Sequence, residues 1–234
     1  MWITDPRILW SVERPNLNGV TSTSIFAANG ARFGRCLRRY VLILLIFVGM
    51  LVSHFAWSFS EKDLEQFERL GVCLDCDLTG VNFFKRNLAG LDLRGSDLAG
   101  ADLRMADLAG VDFRGAYLAE TNLEGADLAG ADFFAADAHE ANMSMTNLFD
   151  VDFSKANLAG VRFTGADVTN SHFYSANLVN SKFENTLLKG CYFFEANLTG
   201  AKFDSAIMED NDFEGAVLCR TSFPTGVESS GCKD

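Results

Sequence analysis

The sequence predicts an all-β solenoid whose coils each have four short sides, entered through one helix and preceded by an apolar segment of membrane-crossing length. Three observations carry this reading. First, from Cys73 to Phe223 every fifth residue is Leu or Phe, without insertion or deletion, at all but Cys73, Ala138, Met143, Val168 and Met208. A five-residue apolar period fits neither the 3.6 of a helix nor the 2.0 of a continuous strand, so the chain must turn at every unit. Second, Phe113, Phe133, Phe153, Phe173, Phe193 and Phe213 recur every twenty residues, and Phe163, Phe183, Phe203 and Phe223 do so with an offset of ten. Four units therefore close one square coil, with phenylalanine on two opposite inner walls and leucine on the other two. Third, a small residue, most often Ala, stands two positions before each large one, and Asp or Asn precedes the large residue in 20 of the 31 units. The large and small residues are expected inside, and the Asx side chains are expected to bond backbone groups in the turns.

The chain has 234 residues and a net charge of −11, unevenly spread. Residues 1–39 hold six arginines against Asp5 and Glu13, whereas the rest is strongly acidic. Such asymmetry marks a basic tail beside an acidic domain. With Pro6, Pro15 and no sustained period, residues 1–39 read as a mostly disordered arm on the cytoplasmic side.

Residues 40–59, Tyr40 to Phe59, form an uncharged run rich in Val, Leu, Ile and Phe, behind Arg35, Arg38 and Arg39. About 20 apolar residues are needed to span a bilayer. The expectation is an uncleaved single-pass anchor, with the arginines inside and the repeats exported to the periplasmic side. A signal peptide cut near Ala56-Trp57-Ser58, leaving a secreted or periplasmic protein, is the alternative.

Residues 60–70 predict a short amphipathic helix with Ser60 as N-cap and Leu64, Phe67 and Leu70 on one face. A solenoid end exposes its interior and a strand edge, so this helix is expected to act as a lid. Residues 71–223 are the repeats, and Pro224 begins a short cap or tail over 224–234.

Blocks such as Ala101-Asp102-Leu103, Ala126-Asp127-Leu128, Ala156-Asn157-Leu158 and Ala196-Asn197-Leu198, several followed by Ala-Gly or Thr-Gly, resemble the pentapeptide-repeat family. The resemblance covers about two thirds of the chain. It implies a right-handed quadrilateral (square) β-helix. The helix leading into Cys73-Leu74-Asp75-Cys76 and the ending Thr221-Ser222-Phe223-Pro224-Thr225-Gly226 are also similar to family members, some with cysteines where Cys219 and Cys232 stand. In an oxidising space Cys219 with Cys232, and Cys73 with Cys76, are candidate disulfides. Free thiols at the far end, and zinc or redox chemistry at the lone C-x-x-C, are the alternatives.

Departures from a strict repeat are where a partner surface would be built. On one wall His172, Tyr174, Tyr192 and Phe194 come together, with Phe134 two coils away. This is an exposed aromatic patch and the candidate partner surface. Arg162, Lys182 and Lys202 stack on another wall as a solvated basic ladder, and Arg94 and Arg114 stack near the first coils. Across 134–150, Ala138 on an inward position predicts local distortion.

Three histidines, carboxylates spread by the repeat itself, and no nucleophile, phosphate-loop or metal-ligand motif point away from catalysis and from any cofactor. Two functions remain. The first is a membrane-anchored or exported scaffold, a monomer or weak oligomer, that offers its walls to a protein partner and does not bind nucleic acid directly. The second, implied by the family's cytoplasmic members, is an acidic rod that mimics duplex DNA and binds DNA gyrase or another nucleic-acid-binding protein.

Overall fold

A computed structural model describes residues 60–232, all within one compact unit. The arm at 1–39 and the apolar run at 40–59 lie outside the described residues. Among the described residues, no helix is long and apolar enough to cross a membrane.

From Val72 onward each coil takes twenty residues, and residue i bridges in parallel to residue i+20, as in Val72 to Asp92, Asp92 to Asp112 and Lys202 to Ser222. A side is so short that most of them contribute one bridge each. Two sides run further, Leu187–Lys189 (β1) and Ile207–Glu209 (β2), paired in parallel with Leu187 opposite Ile207. Where Asp or Asn precedes the large residue, its side-chain Oδ1 accepts the N–H of the residue that follows the large one, as Asp77 does from Thr79 (3.1 Å) and Asp152 from Ser154 (2.8 Å). The carbonyl of the large residue then accepts the N–H three positions on, as Leu78 does from Val81. Together these bonds close the turn at the end of each side.

The turn demands a positive φ. Thirteen unit-ending positions meet this with Gly, whereas sixteen non-Gly residues, from Asp75 to Arg220, take φ values between 53° and 61°. An L-residue held there costs roughly 1–2 kcal/mol. The continuous ladder of backbone hydrogen bonds between coils holds them in place, for example Leu98 N–H to Tyr117 O at 2.7 Å and Asn122 N–H to Ala101 O at 2.9 Å.

Inside, the expected frame is the observed one: Leu78, Leu98, Leu118, Phe133, Phe153, Phe173 and Phe193 are all buried, as are the small residues two positions before most of them. Several hydroxyls at these small positions link coil to coil, whereas Thr146 and Ser181 donate to the carbonyls of Met143 and Leu178 in their own coil. Thr121, Ser171, Thr186 and Thr221 donate to the carbonyls of Leu98, Leu148, Phe163 and Leu198, always 23 residues back. The Cys191 thiol does the same to Val168, and burial pushes that thiol up to about 12.

The stretch 134–150 corrects an expectation, because it is not distorted. Ala138 N–H still reaches Asn157 O (2.9 Å), Met143 N–H reaches Arg162 O (2.8 Å), and both side chains are fully buried. The long, unbranched Met143 side chain follows Ala138 on the next side of the coil, and methionine adapts readily to irregular gaps.

The lid is helix Glu61–Leu70 (α1), with Ser60 Oγ accepting from Asp63 N–H and Gly71 as the left-handed C-cap. Phe67 is buried, its ring 5.3 Å from that of Phe83, and Leu64 packs beside it. Leu70, expected on this face, is instead 58 % exposed, since the chain turns at Gly71 before it can reach the core. Asp77 on the first coil's open edge donates its N–H to the Asp63 carboxylate (3.1 Å) and accepts from Ser60 N–H (3.0 Å). The lid thus covers both apolar surface and unpaired backbone.

At the other end Thr221–Phe223 (β3) turns through Pro224 and Thr225 into Gly226–Glu228 (β4), antiparallel, with Thr221 opposite Glu228. Ser230 O accepts from Leu218 N–H, and a disulfide joins Cys219 to Cys232. A second disulfide joins Cys73 to Cys76 below the lid, and Cys191 is free and buried.

Candidate interaction surface

One wall of the rod is backed on the inside by Leu93 and then, coil after coil, by Phe113, Phe133, Phe153, Phe173, Phe193 and Phe213. Each coil puts two outward side chains on it, one just before and one just after the inward residue. The first column runs Asp92, Asp112, Asp132, Asp152, His172, Tyr192, Asp212, joined residue to residue by parallel bridges. The second runs Arg94, Arg114, Phe134, Ser154, Tyr174, Phe194, Glu214.

In the first coils the wall neutralises itself. Arg94 holds Asp92 through Nε at 2.8 Å and Nη2 at 2.6 Å and lies 3.5 Å from Asp112. Arg114 holds Asp112 in the same way and lies 3.4 Å from Asp132. These guanidinium hydrogen bonds keep the Asp92 and Asp112 carboxyls below the ordinary carboxylate range and raise both arginines. On the opposite wall Arg104 holds Asp102 through the same two-nitrogen fork.

Further along, rings replace the guanidiniums. His172 stands 5.9 Å from Tyr174 and 5.3 Å from Tyr192, and Tyr174 stands 6.2 Å from Tyr192 and 6.1 Å from Phe194, ring centre to ring centre. Tyr174 and Tyr192 are nearly parallel and each is 41 % exposed. Four of the five expected residues are therefore brought into one cluster. Phe134 is apart from it, with the Lys155 ammonium 5.2 Å from its ring centre, and Ser154 between Phe134 and Tyr174 is buried.

Carboxylates flank the cluster: Asp152 one coil before, Asp212 and Glu214 one coil after, and Glu195 on the adjoining corner, where it accepts from Ser175 Oγ. None of the four has a cationic partner among the described residues. The sequence shows these acids but not that they stand unpaired, which depends on the reach of Lys155 and Lys189. Lys155 is drawn to Phe134, and Lys189 pairs with Glu209 at 2.9 Å.

Elsewhere the basic ladder Arg162, Lys182, Lys202 stands as expected on consecutive bridges. His139 contacts Asp137 (2.7 Å) beside Tyr117, and Asp137 also accepts from Asn157. Cys73 and Cys76 face inward as a closed disulfide.

Two family models match the chain, pentapeptide repeats (8 copies) over residues 76–115 and pentapeptide repeat region over 118–193. No curated protein matches it significantly in sequence. Among solved structures it is similar to trypsin-treated QnrB1, a plasmid-mediated fluoroquinolone resistance protein, at 22% identity over 58% of this chain and 83% of that one, with a TM-score of 0.41. It is similar to HetL, a pentapeptide repeat protein involved in heterocyst differentiation regulation from the cyanobacterium Nostoc sp. strain PCC 7120, at 19% identity over 71% and 98%, with a TM-score of 0.25. A pentapeptide repeat protein of the Arabidopsis thaliana thylakoid lumen aligns at 27% identity over 53% and 69%, with a TM-score of 0.23. With the five-residue repeat, the twenty-residue coil and both family models in agreement, the chain belongs to the pentapeptide-repeat family of right-handed β-helix solenoids.

Proposed function

We propose that the protein is a non-enzymatic scaffold that presents the wall bearing His172, Tyr174, Tyr192 and Phe194 to a protein partner. The observation that carries this is the cluster itself: four adjoining rings, Tyr174 and Tyr192 exposed and His172 and Phe194 half-buried, on a rod whose other outward positions are mostly polar or small. Apolar area of this kind marks interaction surfaces. A non-enzymatic role fits the use made of the carboxylates, since Asp77, Asp97, Asp132, Asp152 and Asp212 are each engaged by a turn N–H. The placement we propose is outside the cytoplasm, tethered through residues 40–59. Disulfides at both ends of the rod support it, because such bonds persist in oxidising compartments.

A photo-crosslinking residue in place of Tyr174 tests the interface in cells. One dominant crosslinked species is expected there and none with the same residue in place of Arg104 on the opposite wall; equal labelling at both would overturn the reading. A phosphatase reporter fused after Asp234 tests placement, with activity expected only on export.

The second reading, an acidic mimic of duplex DNA, is favoured by one observation: 23 acids against 11 bases over residues 71–223. Inhibition of gyrase supercoiling by the purified chain, together with an inactive reporter, would select it.

A further inference from the structure

We propose that the wall from Asp152 to Glu214 docks an extended, arginine-bearing segment of the partner. This deepens the reading above and rests on that wall being the interface. The first coils display the complete form of the wall, in which each guanidinium lies between aspartates of successive coils, Arg94 between Asp92 and Asp112 and Arg114 between Asp112 and Asp132. From Asp152 on, the first column keeps its acid at Asp152 and Asp212, with His172 and Tyr192 between them, and no arginine stands in the second column: Ser154, Tyr174, Phe194 and Glu214 are there instead. Asp152, Glu195, Asp212 and Glu214 carry negative charge with no cation beside it among the described residues.

The rings point to the same chemistry. Two exposed rings elsewhere hold cations of the chain itself: Lys85 and Arg104 lie 5.0 and 5.4 Å from the centre of Phe84, and Lys155 lies 5.2 Å from that of Phe134. Tyr174, Tyr192 and Phe194 hold none among the described residues. A guanidinium suits both features at once, forking onto a carboxylate and lying flat on an aromatic face. Spacing supplies the segment's form. Asp152 and Asp212 are three coil steps apart, about 14 Å at the strand spacing, which matches residues four apart on one side of an extended chain at about 3.4 Å each. The residue midway between them would rest on the rings.

The test uses the full chain and a fluorescent five-residue peptide with arginine at both ends and in the middle and serine between, read by anisotropy. Binding that weakens steeply with salt is expected, with citrulline at both ends weakening it more than about tenfold. Tyr174→Ala should weaken it about two- to fivefold and the double change Asp152→Asn with Asp212→Asn about tenfold, while Asp204→Asn on the opposite wall leaves it unchanged. Equal binding of the citrulline peptide, no binding of the arginine peptide, or indifference to both wall variants would each overturn the proposal. A neutral oligosaccharide that bound in a Tyr174-dependent way, with the peptide inert, would overturn the cationic partner yet leave the wall as the interface. Loss of the site-specific crosslink at position 174 would remove the interface itself.

Discussion

The first three coils and the last three share one backbone frame and differ in nearly everything attached to it. Early coils are lined mostly by leucine, with Leu88, Leu93, Leu98, Leu103, Leu108, Leu118, Leu123 and Leu128 all buried beside Phe83 and Phe113. Late coils are lined on two walls by phenylalanine. There Phe153, Phe173, Phe193 and Phe213 stack at 4.7–5.1 Å, and Phe163, Phe183, Phe203 and Phe223 at 4.5–5.2 Å. The two stacks meet edge to face, as Phe173 meets Phe183 at 83°. Outside, early turns use eight of the thirteen unit-ending glycines and their aspartates hold arginines. Late turns use mostly non-Gly residues and carry the unpaired acids and rings. The contrast teaches that the backbone ladder carries the fold, leaving both the filling and the decoration free to change along the rod. It also places the self-neutralised surface at one end and the proposed binding surface at the other.

The largest expected effect tests the frame that both regions share. Phe173→Asp should cost more than about 4 kcal/mol because it buries a charge with no partner, whereas the neighbouring Tyr174→Asp should cost less than about 1. Thermal melts compare them directly, and equal losses would break the inward and outward assignment.

Phe173→Ala against Leu118→Ala sharpens the difference in filling. Both open a cavity, but the phenylalanine also loses two stacked neighbours and edge contacts, so about 4–5 kcal/mol is expected against about 3. Urea unfolding of each variant gives the values; a smaller loss at Phe173 would mean that the aromatic stack adds nothing over leucine.

Cys219→Ser is next. Opening a loop with a sequence separation of 13 should cost roughly 3 kcal/mol in the chain-entropy model, and Cys73→Ser less, because its separation is 3. Hydrogen exchange should rise only in the last coil after the first change. Uniform protection throughout would show that the β3–β4 pairing alone secures that end.

The smallest effect concerns the paired wall. Guanidinium hydrogen bonds depress the Asp92 and Asp112 carboxyls, so their contribution is complete above the ordinary 3.8 and is lost as pH falls through the depressed values. The double variant Arg94→Gln with Arg114→Gln should therefore melt slightly below the parent at pH 7, with the gap closing in acid and in high salt. A gap constant across pH would assign the effect to packing.

Most of the frame was legible because it is a matter of counting. Phe153, Phe173 and Phe193 share a wall by their twenty-residue spacing, and the same spacing gathers His172, Tyr174, Tyr192 and Phe194 outside it. The exposure of Leu70 was not legible, because the periodicity of α1 carries no information about where Gly71 redirects the chain. Nor was the undistorted backbone at Ala138, because the cost of a missing side chain depends on how the surrounding core closes over it, which a repeat pattern does not show.

By itself the sequence determined the coil, its four walls and the inward or outward side of each residue from Gly71 to Phe223, since a strict period leaves one way to bury every repeat Leu and Phe. Tertiary structure decided which charges are answered. Arg94 and Arg114 reach two aspartates each, Lys155 turns to Phe134, and Asp152 and Asp212 are left without a cation among the described residues. It also decided the ends, where the Asp63 side chain caps the N–H of Asp77 and β4 folds back on β3. These outcomes turn on side-chain reach and on how the chain closes over an open edge, and a repeat, being the same at every unit, encodes neither.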